Sequence, residues 1–169
     1  MSRAFRGTAV SERSESGIVT GMGIEAVGPA IPMDVEANES SPLVLIVDDH
    51  REGREMCATL LIQAGFRVAT AINGLDGLVR AMSVHPDVIV MDLAMPDLDG
   101  WDCTRQLSLN PSTRDIPVVV LTAHATPEAR ALALAAGCRT FMAKPFLPAS
   151  LIAEITGLTT RPGAQLPSR

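Results

Sequence analysis

Two adjacent carboxylates, Asp48 and Asp49, follow the apolar run Leu43-Val44-Leu45-Ile46-Val47. A third, Asp92, follows Asp87-Val88-Ile89-Val90-Met91. A hydroxyl, Thr122, follows Val118-Val119-Val120-Leu121, and an amine, Lys144, follows Thr140-Phe141-Met142-Ala143. Crowded carboxylates stay ionised together only beside a cation. A few carboxylates with water and phosphate oxygens suit Mg²⁺. A carboxylate can also attack phosphorus and form an acyl phosphate. An ammonium and a hydroxyl can hold the phosphoryl oxygens. Each group taken alone has a plainer role: an Asp pair caps a helix, a lone Asp caps a loop, and a lysine is solvated. Together they describe a site for a divalent cation and a phosphoryl group, provided the fold brings them to one place.

The elements between them do that. The four runs are short, apolar, rich in β-branched residues and separated by helical stretches, which reads as buried parallel strands. Strands are expected near residues 43–47, 66–70, 87–91, 117–121 and 139–143. Helices are expected from Arg51 to Ala64, stopped by Gly65, and from Asn73 as N-cap to Val84. A third runs from Gly100 to Leu109, where Gly100 lets the helix start close to the sheet. A fourth runs from Thr126-Pro127 to Gly137, and a fifth from Pro148 to about Thr156. On the first helix, Met56, Cys57, Leu60 and Leu61 form the expected inner face. On the fourth, Ala129, Leu132, Ala133 and Ala136 are expected inside, leaving Ala131, Leu134 and Ala135 near solvent. Five βα units in series imply right-handed crossovers and a doubly wound five-stranded parallel sheet of order 2-1-3-4-5, a flavodoxin-like (βα)5 architecture. In such a sheet the C-terminal strand ends share one crevice, where ligands bind.

From Leu43 to about Leu158 the chain resembles the receiver domain of two-component response regulators. Four separated motifs carry the resemblance: Asp48-Asp49, Asp92, Thr122-Ala123 and Lys144-Pro145. The resemblance implies that Asp92 accepts a phosphoryl group from a phosphohistidine, with Mg²⁺ as cofactor. Asp49 and Asp92 would then ligate the metal directly and Asp48 partly through water. The backbone carbonyl of Ala94 would complete the protein's ligands. Lys144 would neutralise phosphoryl charge and precede a cis proline, and Thr122 would bond a phosphoryl oxygen. Thr122 and Phe141 would form the conformational switch, although Phe141 reads equally as an ordinary core aromatic. Met95-Pro96-Asp97-Leu98-Asp99-Gly100 resembles the loop that shapes the crevice. His124, two residues after Thr122, stands where the family can tune phosphate lifetime, and Ala94, two after Asp92, is the other such position. None of His50, His85 and His124 reads as catalytic or shows metal-ligand spacing.

The resemblance implies a signalling module rather than an enzyme, with at most autophosphorylation and autodephosphorylation activity. Its partners would be a sensor histidine kinase or histidine phosphotransfer protein and a downstream target protein, met through the fourth helix, fifth strand and fifth helix. A homodimer is a further option. The alternatives are a receiver fold that binds without being phosphorylated, and an aspartate-nucleophile phosphatase. The latter would carry its nucleophile after the first strand, where Asp48-Asp49-His50 does not fit. A flavodoxin-type carrier would need a hydroxyl-rich loop after the first strand. No glycine-rich nucleotide loop is present.

The chain has 169 residues, 47% hydrophobic and 20% charged, with a net charge of -5. That balance argues against unspecific nucleic-acid or membrane-surface binding. With four Phe, one Trp and no Tyr, the core must be aliphatic, and Trp101 is a natural optical reporter. Cys57, Cys103 and Cys138 form no pair by spacing and read as buried thiols in a reduced, cytoplasmic setting. No apolar run approaches the roughly 18–20 residues of a membrane span, and no secretory signal is visible. Residues 1–42 are rich in Ser, Glu, Gly and Pro without a persistent period, which reads as a disordered N-terminal arm. Residues 43–158 form the receiver domain, and 159–169 a short polar tail. With so little chain after Leu158, the expectation is a stand-alone receiver or a fragment of something larger.

Overall fold

A computed structural model of the chain describes residues 40–96 and 98–160. The expected arm, except residues 40–42, lies outside them, as does the tail beyond residue 160 and Asp97 of the crevice loop. Five strands alternate with five helices: β1 (Leu43–Val47), α1 (Arg51–Gln63), β2 (Arg67–Ala71), α2 (Gly74–Val84), β3 (Val88–Asp92), α3 (Gly100–Leu109), β4 (Val118–Thr122), α4 (Pro127–Ala136), β5 (Thr140–Ala143) and α5 (Pro148–Thr159). All strand pairs are parallel, and the order is β2-β1-β3-β4-β5, as expected.

The central strands β1, β3 and β4 are buried on both faces, so their alternating side chains feed two separate cores. Leu45, Val47, Ile89, Met91, Val118 and Val120 point to the side covered by α2, α3 and α4. Val44, Ile46, Val88, Val90, Val119 and Leu121 point to the side covered by α1 and α5. The three cysteines are buried free thiols. Burial pushes the Cys103 thiol up to about 12, because a thiolate there would lose its water.

The helix punctuation follows local chemistry. Asn73 Oδ1 accepts from the Asp76 amide at 2.8 Å, and Thr126 Oγ1 from Ala129 at 3.1 Å, each satisfying an orphan N-terminal donor. After α1, Gly65 takes φ +90. Its amide and that of Phe66 then close back on Ile62 and Leu61 at 2.9 and 3.0 Å, a Schellman turn. α5 runs three residues beyond the expected Thr156, and β2, β3, β4 and β5 begin one residue later than expected.

Two expected faces need correction. On α1 the buried residues are Cys57, Ala58 and Leu61, and Met56 is exposed. The buried arc is centred near Cys57–Ala58, so small Ala58 seats the helix against the sheet and Met56 falls outside. On α4 only Ala133 is fully buried, flanked by half-buried Ala129 and Ala136. An alanine seam draws α4 close, and Leu132 is left exposed beside an open groove. Trp101 and Arg105 of α3 form the other wall of that groove.

Candidate functional site

The register of the sheet assembles the site. Asp92 pairs with Leu121 and Thr122 with Ala143, so β3, β4 and β5 end at one level. Val47 lies beside Met91, which sets Asp48 next to Asp92. The Asp48 amide still belongs to the ladder, donating to Ala71 O at 3.2 Å. The Lys144 amide donates to Thr122 O at 2.7 Å, tying the ends of β4 and β5.

Asp48 and Asp92 are buried, yet each carboxylate is satisfied. Lys144 Nζ donates to Asp48 Oδ2 at 3.1 Å and to Asp92 Oδ2 at 2.9 Å, bridging the first and third strands from the fifth. The other oxygens accept backbone amides: Asp48 Oδ1 from His50 at 2.8 Å, Asp92 Oδ1 from Ala94 at 3.2 Å. Burial alone pulls the Lys144 ammonium down, but the hydrogen bond to Asp92 and the charges of both aspartates outweigh it. Its pKa therefore lies above the ordinary lysine value. The Lys144–Pro145 peptide bond is cis. Gly100 opens α3 directly against the end of β3, where a Cβ would stand 2.2 Å from Asp92 O. No other residue lets the helix begin there.

Asp49 is half-buried at the rim, with His50 Nδ1 3.0 Å from its Oδ1. Asp48, Asp49, His50 and Asp92 each offer a ligand atom within 4.8 Å of all the others. Three hard carboxylate donors in that radius fit a small divalent cation such as Mg²⁺. Thr122 is buried, and its Oγ1 accepts from the His124 amide at 3.0 Å, leaving its own proton free to donate. Phe141 is half-buried and packs on the core beneath α2, α3 and α4. Ala94 is exposed two residues beyond Asp92.

Two contacts escape sequence reasoning. His50 reaches Asp49, and the Arg54 guanidinium donates to Asp48 O at 2.6 Å. The only signal for either is its position at the start of the helix that follows the acidic pair.

Residues 44–156 match the family model described as response regulator receiver domain. The chain is 38% identical over 130 residues to the transcriptional regulatory protein PrrA of Mycobacterium leprae, covering 77% of this chain and 55% of that protein. It is 37% identical to the transcriptional regulatory protein CusR of Escherichia coli K12, covering 72% and 52%. The chain thus spans about half the length of the curated relatives it matches. Among solved structures, it resembles the chemotaxis protein CheY4 of Vibrio cholerae at TM-score 0.67 and 29% identity, covering 70% of this chain and 99% of that one. It also resembles the receiver domain of the sensor histidine kinase PA1611 of Pseudomonas aeruginosa, solved with a magnesium ion coordinated in the active site cleft. There the TM-score is 0.67 and the identity 29%, with 71% and 98% covered.

Proposed function

The chain belongs to the response regulator receiver domain family, and from that premise we propose that it is a phosphoacceptor whose acceptor is Asp92. The observation that carries this is the Lys144 bridge, 2.9 Å from Asp92 and 3.1 Å from Asp48, across the joined strand ends. It sets an ammonium against a buried carboxylate at the strand ends, where it can also meet the oxygens of an incoming phosphoryl group.

In this reading the Asp92 carboxylate attacks phosphorus. The bond from phosphorus to the donor nitrogen breaks, its electron pair leaves with the donor imidazole, and an acyl phosphate forms. Lys144 shifts from its carboxylate partners toward the phosphoryl oxygens, and the Thr122 hydroxyl donates to one of them. Mg²⁺, held by Asp49, Asp92, the Ala94 carbonyl and more loosely Asp48, would supply charge neutralisation when bound. Positioning and electrostatics carry such a transfer. Because Thr122 and Lys144 share a backbone hydrogen bond, movement of Thr122 is felt in β5, where Phe141 lies. That links the site to the α4-β5-α5 surface as the place of output.

The donor would be a sensor histidine kinase or histidine phosphotransfer protein, and the receiver of the signal a downstream target protein, in the cytoplasm. Among the described residues no helix is long and apolar enough to cross a membrane. The test is incubation with a small phosphodonor and Mg²⁺, read by intact mass. Wild type should gain one phosphoryl group and Asp92→Asn none. An adduct on Asp92→Asn at wild-type occupancy overturns the assignment.

A further inference from the structure

α2 is built inside out. It buries Gly74, Gly77 and Ala81, packs half-buried Leu78 on the core, and turns Leu75, Val79, Met82 and Val84 to solvent. Leu75 is 65% exposed, Val79 55% and Met82 41%, a spacing of four and three that lines one face of a helix. Five of the ten exposed large apolar side chains among the described residues fall between Ile72 and Val84. Scattered surface leucines need no explanation, but a contiguous stripe marks an interaction site.

The charges beside the stripe say what fits it. Asp76 and Arg80 lie on one flank and pair within the helix, Arg80 Nε 2.8 Å from Asp76 Oδ1. The Asp76–Arg80 pair centres on Leu78, Leu75 and Met82 centre between Leu78 and Val79, and Val79 itself lies within one residue of both centres. An isologous contact needs a surface that matches itself after a two-fold rotation. Two antiparallel copies of α2 crossing near Val79 satisfy this. Leu75 meets the second copy's Met82, Val79 meets its own equivalent on the axis, and Asp76 meets Arg80 in both directions. A different protein would gain nothing from that symmetry.

We propose that the exposed face of α2 is a homodimer surface, with a second copy of this chain packed antiparallel across Val79. A single short helix per partner falls below the roughly 800 Å² a side of a stable complex. The association is therefore weak, with a Kd on the order of 100 μM.

Sedimentation equilibrium of the full chain, taken up to about 1 mM, tests this. Wild type should dimerise reversibly. Val79→Glu sets two like charges on the axis and should raise Kd more than about a hundredfold. Leu134→Glu on α4 should leave Kd unchanged. Val79→Cys should form a disulfide-linked dimer under mild oxidation, faster than a Gln106→Cys control on α3. A wild type that stays monomeric throughout, a dimer that survives Val79→Glu, or one lost in Leu134→Glu overturns the proposal. So does a Val79→Cys cross-linking rate no greater than the control.

Discussion

Replacing Lys144 by Met should expose how the acidic cluster is held together. The two contacts of Nζ cap the separation of Asp48 Oδ2 and Asp92 Oδ2 at about 6 Å. At an effective dielectric of about 20, that is a repulsion of about 3 kcal/mol once the ammonium is gone. Breaking a buried ion pair costs about 3–5 kcal/mol, but Lys144 is 28% exposed and water screens part of the loss. We therefore expect a destabilisation of about 2–3 kcal/mol in metal-free buffer, a fall in Tm of about 10 °C for a domain of this size. Thermal melts with and without Mg²⁺ measure it. Added Mg²⁺ should raise Tm more in Lys144→Met than in wild type, because the cation takes over the missing charge. The pH dependence has a definite sign. The folded pKa of Lys144 is raised, so the bridge's contribution is complete below the ordinary lysine value of about 10.4. It is lost as pH rises through the higher folded value, and the two proteins should converge there. A loss under about 1 kcal/mol, or an equal Mg²⁺ response, refutes the reasoning.

Gly100→Ala should cost about 3 kcal/mol or more and slow phosphorylation as well, since its Cβ can be placed only by moving α3 from the end of β3; urea melts and the mass assay read both. Ala94→Asn should speed phosphate release from the isolated phosphoprotein, because Ala94 offers no group to align an attacking water; a rate at or below wild type counts against this. Native protein should react with a thiol reagent at pH 8 far more slowly than unfolded protein, as Cys57, Cys103 and Cys138 are buried and Cys103 titrates only at about 12. Rapid modification of Cys103 would mean that the core under α3 opens readily.

Strand ends were legible because apolar runs break off at Asp48, Asp92, Thr122 and Lys144, and a parallel sheet must gather those ends. Caps were legible because Asn73, Thr126 and Gly65 act on their own neighbours. The buried faces of α1 and α4 were legible only in part: Cys57, Leu61 and Ala133 lie inside as expected. Counting apolar residues also puts the largest inside, as with Met56 and Leu132, whereas close helix-on-sheet packing leaves both exposed and selects Ala58 on α1. The stripe on α2 follows the same logic, with Gly74, Gly77 and Ala81 taking the inner positions. The reach of His50 to Asp49 was illegible for another reason: it depends on a side-chain direction that no spacing encodes.

The place of Trp101 decides what light can report about this molecule. With no tyrosine and one tryptophan, emission comes from a single ring, and that ring stands in the groove between α3 and α4 opposite Leu132. Fluorescence is therefore a local instrument. It responds when the α3–α4 spacing changes or when something enters the groove. Partners gathering on the far side of α2 pass unseen unless they disturb that spacing. A flat titration is silence from one window, and cross-linking or sedimentation must watch the others.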